Sequence, residues 1–319
     1  MELEDSGVIV RKKQASPGVQ APILRTRSQK KSPYELIEPW LFMLPALVVF
    51  AIFLFFPLFK TIYLSTYLTN NYGQAKVYVG LRNYTDILTG KYAPAFWNSM
   101  WVTVRFVFFV AFGSLLVGLT TSLLTAKKFP GRAFASAIYA MPIAIASAAA
   151  AMSFKMIFHP SIGLVNRLLG TTTNWLNNPA WAFPIICAIS VWLASGINYI
   201  FISAGLRNIP DELYESASID GAGYWRQQRH ITLPSLSPTL FFQIIINIIS
   251  AFQSFTQVRL LTAGGPNETT NVIVYSIYLD AFRNFRFGSA AARSIVLFVI
   301  IMIVTLIQFR AEKRSVHYQ

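Results

Sequence analysis

Charged side chains are scarce in this sequence of 319 residues, of which only 13% are Asp, Glu, Lys or Arg. A soluble globular chain carries about 25%. Hydrophobic residues make up 54% of the chain, so the shortage of charge indicates that lipid rather than water surrounds much of it. The chain also has a single cysteine, Cys187, inside an apolar run, which excludes a disulfide framework and a cysteine-based metal cluster.

The residue patterns of several enzyme and cofactor sites are also missing. No Gly-x-x-x-x-Gly-Lys-Ser/Thr segment for nucleotide binding is present. The three histidines, His159, His230 and His317, are isolated, and no His-Glu-x-x-His motif, carboxylate pair or nucleophile–base triad occurs. We therefore predict no catalytic residues, no metal site and no cofactor in this chain. An apolar signal-peptide core is absent too, and residues 1–38 are predicted to form a polar cytoplasmic tail.

Apolar blocks that are long enough to cross a bilayer occur six times between residues 39 and 319. A hydrocarbon core is about 30 Å thick and requires about 20 helical residues, and helix is expected because lipid cannot satisfy backbone polar groups. The fold class is therefore all-α, a polytopic membrane protein. The six predicted spans are 41–64, 103–126, 133–158, 181–205, 238–258 and 292–309, and four prolines in them (Pro45, Pro57, Pro142 and Pro184) are expected to kink or end helices.

The distribution of Lys and Arg predicts the orientation of the spans. If the N-terminus is inside, the inner segments hold 16 of these residues: seven in the tail and three each in 127–132, 206–237 and 310–314. The outer loops hold 8, and the remaining three lie within spans. Because cytoplasmic loops carry the excess of positive charge, we predict that both termini are cytoplasmic. The same bias explains the net charge of +14 without a nucleic-acid partner.

The predicted inner loop between spans four and five, residues 206–237, has the features of a rigid elbow. Asp211 follows Pro210 and suits the N-cap of a short helix, and Gly221 and Gly223 would end that helix. Pro234 fits the first turn of the next span. Small residues in the loop would let the backbone of another protein approach closely. These local features alone leave open an ordinary amphipathic connector.

The same loop resembles the EAA motif of ABC importer permeases. The matching residues are Glu215-Ser-Ala217, Asp220-Gly-Ala222 and Ile231-x-Leu233-Pro234. Segments outside the motif resemble the carbohydrate-uptake branch of that family: Trp192, Gly205-Leu206, Ile209-Pro210, Gly80-Leu-Arg-Asn-Tyr84, Gly163-Leu-Val-Asn166 and Leu261-Thr-Ala-Gly-Gly-Pro266. The chain departs from the family pattern at Ser216, where alanine is usual, and at Gln228, where an aromatic residue is common.

The resemblance implies a permease subunit of a binding-protein-dependent importer in the bacterial cytoplasmic (inner) membrane. It implies a second permease as a heterodimeric partner, two ATPase subunits that bind ATP and Mg²⁺, and an extracytoplasmic solute-binding protein. By position, the ATPase-coupling contact would be formed by Glu215, Ser216, Ala217, Asp220, Gly221 and Ala222. Gly221 is expected to be the least replaceable of them, because a side chain there would meet both the turn and the partner.

A row of polar residues in the fifth predicted span is a candidate solute pathway. The row consists of Gln243, Asn247, Ser250, Ser254 and Gln257, and its steps of 4, 3, 4 and 3 place all five on one face of a helix. Polar groups at membrane depth must face protein or water, and amides and hydroxyls suit a neutral sugar. Asn198 and Tyr199 in the fourth span are further candidates. The alternative is that the row forms helix–helix hydrogen bonds.

One alternative solute and two alternative mechanisms compete with sugar import. Glycerol-3-phosphate or a glycerophosphodiester is the alternative solute, because that permease branch shares the same motifs. A phosphate favours Arg or Lys at the cavity, and only Arg105 and Arg259 lie near enough in sequence. A secondary transporter working alone would need ionisable groups deep in the membrane, whereas the six predicted spans contain no acidic residue. A membrane-bound enzyme lacks a visible catalytic set.

Overall fold

A computed structural model describes residues 33–127 and 129–315 of the chain. Most of the predicted tail, residues 1–32, therefore lies outside the described residues. The chain divides into two compact units after Phe55. In the first unit, helix α1 (Pro33–Phe50) leads into a π-helical turn (Ala51–Phe55). Pro45, which was expected to kink or end its helix, lies inside α1 and does not end it.

The second unit begins with helix α2 (Phe56–Ser65) and a short hairpin that the sequence did not predict. Strands β1 (Tyr67–Thr69) and β2 (Ala75–Tyr78) pair antiparallel. The Asn70 side chain closes the hairpin turn, because its Oδ1 atom accepts hydrogen bonds from the backbone N–H groups of Tyr72 and Gln74. Helix α3 (Arg82–Leu88) follows.

Helix α4 (Ala93–Ala126) is the longest element, with 34 residues. It begins ten residues before the predicted second span, and at 1.5 Å per residue it is about 51 Å long. It packs against helix α8 (Ala182–Arg207), which agrees closely with the predicted fourth span. The largest fully buried side chains of the unit include Phe96 and Phe106 on α4 and Ile186 on α8, so this helix pair forms the centre of the core.

The predicted third span is not one straight helix. Helix α5 (Arg132–Ala140) and a 3₁₀ turn (Met141–Ala144) are separated from helix α6 (Ser147–Ile157) by a bend of 104°. Pro142 lies in the 3₁₀ turn, where it cannot supply a backbone donor, and Ala146 has an extended backbone before α6. Helix α7 (Leu164–Leu169) and a second 3₁₀ turn (Trp175–Asn177) then lead to α8, in which Pro184 lies in the first turn without causing a break.

The elbow is a short helix followed by a glycine turn and a long helical stretch. Helix α9 (Asp211–Ile219) precedes the turn, and helix α10 (Tyr224–Gln227), a π-helical turn (Gln228–Thr232) and helix α11 (Leu233–Phe252) follow it. Pro234 lies in the first turn of α11, as predicted. At the root of the elbow, Ile202, Ile209 and Leu236 form a small buried cluster, which connects the elbow to the ends of α8 and α11.

The last third of the chain is more helical than the predicted outer loop at 259–291. It contains helix α12 (Thr256–Leu261), helix α13 (Ile273–Tyr278), a π-helical turn (Leu279–Arg283) and helix α14 (Phe287–Ser315). Helix α14 therefore begins five residues before the predicted sixth span. In the described part of the chain, five helices are long and apolar enough to cross a membrane, and the bent pair α5–α6 brings the number to six. The all-α, polytopic fold class is confirmed.

Candidate functional site

The first half of the elbow is helix α9, whose start differs slightly from the prediction. Pro210 occupies the N-cap position, and Asp211 is the first helical residue rather than the cap. Asp211 and Glu212 nevertheless lie in the first turn, where negative charge is favourable beside the unpaired N–H groups of a helix. Helix α9 therefore forms at the predicted place, but its start is favoured by acidic residues in the first turn rather than by an Asp211 cap.

Gly221 makes the turn between α9 and α10 in a left-handed conformation, with φ of +74°. Three backbone hydrogen bonds close the end of α9, the shortest being 2.8 Å from the Ala222 N–H to the Ala217 carbonyl. A Cβ atom added to Gly221 would meet no atom of the chain within 4 Å. The expectation that a side chain would collide with the turn is therefore wrong, and the requirement for glycine within this chain comes from φ alone.

Side-chain hydrogen bonds make the elbow stiff. The Gln227 Nε2 group donates to Ser218 Oγ at 3.0 Å and to the Ala222 carbonyl at 3.1 Å. The Tyr214 and Thr232 hydroxyls are 3.0 Å apart, so α9 is also tied to the π-helical turn that leads into α11. Helix α9 is thus connected by side-chain hydrogen bonds both to α10 and to the turn that precedes α11.

The residues predicted to contact an ATPase lie on the outer surface of this elbow. Four of them are exposed (Glu215, Ser216, Asp220 and Gly221), and Ala217 and Ala222 are partly buried. Beside them, Ile219 is 87% exposed, although an isoleucine normally stabilises a chain by leaving water. The elbow thus offers a small apolar and acidic surface to a partner.

Four residues of the predicted polar row line one cavity of about 260 Å³ in the membrane part of the chain. We call it the row cavity; the four are Asn247, Ser250, Ser254 and Gln257. The prediction that all five residues of the row share one helix is wrong, because α11 ends at Phe252. The Gln253 N–H turns back to the carbonyls of Ile249 and Ser250, and Gln257 belongs to α12.

Three serines that were not predicted from the sequence also line the row cavity: Ser114, Ser147 and Ser190. Ser190 is of particular interest because its buried hydroxyl has no hydrogen-bond partner among the described residues. An unpaired buried polar group is costly, so this hydroxyl is a polar group of the cavity region whose hydrogen-bonding capacity is unused among the described residues. For these three serines, the only signal in the sequence was the presence of an isolated serine in an apolar helix.

Gln243 and Asn198 do not line the row cavity; both are buried between helices. The Gln243 Nε2 group lies 3.4 Å from the Ile197 carbonyl of α8, which is the helix–helix bonding that the sequence left open as an alternative. Asn198 forms hydrogen bonds with Asn247. The polar row is therefore divided between contact with neighbouring helices and the cavity wall.

Tyr199 lies at a second cavity of about 540 Å³ near the elbow, which we call the hydroxyl cavity. Its wall includes Ser122, Thr125 and Ser203, and the hydroxyls of Thr125 and Tyr199 are 3.1 Å apart. At 100° per residue, Tyr199 and Ser203 lie on the face of α8 opposite to Ala194 and Ile197, which line the row cavity. Tyr199 is thus separated from the candidate pathway residues that line the row cavity.

A buried ionic cluster lies between the π-helical turn Leu279–Arg283 and helix α14. Asp280 pairs with Arg293 at 2.9 Å and with Arg286, and its side chain and that of Arg293 are almost fully buried. Burial alone would lower the pKa of Arg286, but a hydrogen bond with Tyr92 and the charge of Asp280 raise it above its ordinary value. This cluster was not predicted from the sequence, because Asp280 falls in the predicted outer loop 259–291 and Arg293, at the start of the sixth predicted span, was counted with the outer-loop charges.

Comparison with known proteins identifies the family. A family profile described as "Binding-protein-dependent transport system inner membrane component" matches residues 114–317. The chain is 34% identical over 286 residues to the sn-glycerol-3-phosphate transport system permease protein UgpA of Agrobacterium fabrum, with 88% of this chain and 97% of the relative covered. UgpA of Salmonella typhi is 32% identical over 285 residues, which cover 88% of this chain and 96% of the relative.

The chain belongs to this family. It is a multi-pass permease of the inner-membrane type, as its sequence predicted. The fold agrees as well: a permease chain in the crystal structure of a bacterial alginate ABC transporter in complex with an alginate pentasaccharide-bound periplasmic protein superposes with a TM-score of 0.78 at 22% identity. That match covers 89% of this chain and 98% of the other. The family segment includes the elbow, the row cavity apart from Phe106 and Val110, and the ionic cluster of this permease.

Proposed function

We propose that this permease forms, with a second and non-identical permease, the alternating-access pathway of a binding-protein-dependent ABC importer. Two separate ATPase subunits would bind ATP and Mg²⁺ and supply the energy, and an extracytoplasmic solute-binding protein would deliver the solute. No catalytic role is proposed for this chain, and among its described residues no group of three or more His, Cys, Asp or Glu side chains could hold a metal ion.

The observation that carries this proposal is the stiff, exposed elbow between α8 and α11. ATP-driven closure of the ATPases would move α9, and the hydrogen bonds of Tyr214 and Gln227 would pass this movement to α11. Rigid-body movement of helices about an interface is a common form of such transitions. In this arrangement both termini and the elbow are cytoplasmic, and the β1–β2 hairpin is extracytoplasmic.

One labelling experiment tests orientation and docking together. The matched pair is Ile219→Cys on the elbow and Tyr72→Cys on the hairpin, because both native side chains are 87% exposed. Each is made in a Cys187→Ala background, which removes the single native thiol. We expect a membrane-impermeant maleimide to label Ile219→Cys in inside-out vesicles only and Tyr72→Cys in intact cells only.

The ATPases should then protect only one of the two thiols. Co-expression of the ATPase subunits is expected to slow the labelling of Ile219→Cys about tenfold or more, since interface cores exclude water, and to leave Tyr72→Cys unchanged. Labelling of the two thiols from the same side would reject the orientation. Equal labelling rates of Ile219→Cys with and without the ATPases would reject the elbow as the docking surface.

For the solute, we propose a neutral sugar or oligosaccharide. The wall of the row cavity contains amides and hydroxyls, which can both donate and accept hydrogen bonds, and it contains no charged side chain. Arg105 and Arg259 were the two residues close enough in sequence to bind a phosphate at the cavity. In the structure each lies over an aromatic ring: Arg105 is 4.6 Å from the centre of the Phe183 ring, and Arg259 is 4.9 Å from that of Tyr278.

Glycerol-3-phosphate is the second candidate, and it is favoured by the names of the UgpA relatives. The two candidates differ in charge, so the solute-binding protein that serves this permease can distinguish them. We expect mass spectrometry of the ligand that co-purifies with that protein to show a neutral carbohydrate. A phosphate ester in its place would establish the second candidate and reject the neutral solute.

A further inference from the structure

Asn198 of α8 and Asn247 of α11 form a reciprocal amide pair in the membrane part of the chain. The Asn247 Nδ2 group donates to Asn198 Oδ1 at 2.9 Å, and the Asn198 Nδ2 group donates to Asn247 Oδ1 at 3.2 Å. Asn198 is completely buried, whereas Asn247 lies on the wall of the row cavity. The two residues therefore have different access to a solute.

The backbone of α8 fixes the orientation of the Asn198 amide. The Asn198 Nδ2 group also donates to the Ala194 carbonyl at 2.9 Å, and a carbonyl oxygen can only accept. The NH₂ group of Asn198 must therefore be the one beside Ala194, where it donates both to that carbonyl and to Asn247. The Asn198 oxygen in turn requires a donor, which is the NH₂ group of Asn247.

The hydrogen-bond capacity of the pair is divided unequally. A side-chain amide has two N–H donors and two acceptor positions on its oxygen. Asn198 uses both of its N–H donors inside the protein. Asn247 uses one donor and one acceptor position on Asn198, which leaves one N–H and one acceptor position unused among the described residues, on a side chain that lines the row cavity. This combination can bind a hydroxyl group, which both donates and accepts.

Helix α4 also packs closely against Asn198. A Cβ atom built on Gly118 of α4 would lie only 2.4 Å from the Asn198 Cβ and 3.1 Å from its backbone carbonyl carbon. The two helices are thus in close contact at this point, and α4 packs against α11 as well. Three helices together determine where the Asn247 amide points.

We propose that Asn198 is a positioning residue for solute recognition. It does not contact the solute; it holds the Asn247 amide so that one donor and one acceptor face the row cavity and recognise a hydroxyl group. The inference rests on the proposed function in one respect, namely that the row cavity receives the solute. The orientation of Asn247 itself can be tested without any solute.

The solute-free test measures how rigid the Asn247 amide is. The full-length permease is labelled with ¹⁵N-asparagine in lipid nanodiscs, and the Asn247 side-chain signal is assigned by its loss in Asn247→Ala. We expect a side-chain order parameter close to that of rigid structure, about 0.8, which falls below about 0.6 in Asn198→Ala. The control is Ser195→Ala, because the buried Ser195 hydroxyl bonds only the Trp192 carbonyl of its own helix. An order parameter that stays high in Asn198→Ala would overturn the proposal.

A double-mutant cycle then tests whether Asn198 acts on transport through Asn247. The probes are radiolabelled maltose and sn-glycerol-3-phosphate, with the complete importer in proteoliposomes. For the transported probe, Asn198→Ala and Asn247→Ala should each raise KM about tenfold, the effect of one ordinary hydrogen bond, with kcat changed less than about twofold. The double variant should match Asn247→Ala within about twofold, because interacting residues are not additive.

The outcomes separate the positioning role from the proposed function. A KM about a hundredfold higher in the double variant would show independent effects and would overturn the positioning role. A loss of kcat without a change in KM would do the same, since it indicates a general structural defect. If the wild-type importer transports neither probe, the proposed solute class fails, and the order parameter of Asn247 still decides the role of Asn198.

Discussion

Gly118→Ala is expected to reduce solute uptake by about tenfold or more. The new methyl group would lie 2.4 Å from the Asn198 Cβ, a distance at which the two helix backbones must separate. Overpacking of this kind costs about 1–3 kcal/mol, and 1.4 kcal/mol corresponds to about tenfold in an equilibrium. The separation would also displace Asn198 relative to Asn247 and disturb their paired hydrogen bonds. Uptake is measured at matched membrane levels of the permease.

Gly113→Ala is the control on the same helix. Its Cβ would meet the Cγ2 atom of Val191 at 2.9 Å, and this methyl group can move by side-chain rotation, whereas a backbone atom cannot. We expect Gly113→Ala to retain most of the uptake. Equal losses in the two variants would show that any added volume on α4 is harmful and that the contact at Asn198 has no special role.

Asp280→Ala is expected to have the largest effect on stability. It leaves Arg293, only 2% exposed, without its carboxylate partner. Removal of one partner from a buried ion pair costs about 3–5 kcal/mol, because a charge remains buried without compensation. The free energy of unfolding of the purified permease, measured by denaturant titration in mixed micelles, should fall by this amount.

The exposed pair Arg82–Asp86 provides a matched control. Its two charged atoms are 3.9 Å apart, and both side chains are accessible to water. Asp86→Ala removes the same carboxylate and should cost less than about 1 kcal/mol. The double variant Asp280→Ala/Arg293→Leu should recover part of the loss, because it removes the unpaired buried charge as well. A small and equal cost for Asp280→Ala and Asp86→Ala would contradict the stabilising role of the buried cluster.

Length and hydropathy predicted much of the membrane part of this chain. The fourth span agrees with α8 to within two residues at each end, because an apolar run of that length has few alternatives in a bilayer. The elbow was also predictable in outline: Pro210 and Gly221 have backbone requirements that depend on the residue itself. Family membership confirms the type of protein, and the contacts assigned to the coupling residues remain predictions.

Features that depend on packing between distant residues could not be predicted. The third apolar run was expected to kink or end at Pro142, and the chain does bend by 104° after Ala144, but neither hydropathy nor the proline gives the size of that bend. The polar row has perfect helical spacing through Gln257, yet α11 ends at Phe252. Periodicity is only a local signal, so it could not show that Ser254 and Gln257 reach the row cavity from outside that helix.

The pairing of Asp280 with Arg293 is the clearest example of a missed long-range contact. The two residues are 13 positions apart, and each alone reads as a solvated charge near the end of a span. Each residue is the other's partner, and the two meet only because the chain turns back into α14. The residues immediately around either one therefore do not reveal the pair. The same holds for Asn198 and Asn247, which come from helices on either side of the elbow.

The position of α8 between the row cavity and the hydroxyl cavity links their shapes. The helix is a shared wall, with Ala194 and Ile197 on one side and Tyr199 and Ser203 on the other. The two spaces lie at successive levels along the helix, the row cavity beside residues 190–197 and the hydroxyl cavity beside residues 199–207. Under the proposed coupling, any tilt of α8 would therefore alter the shape of both chambers at once.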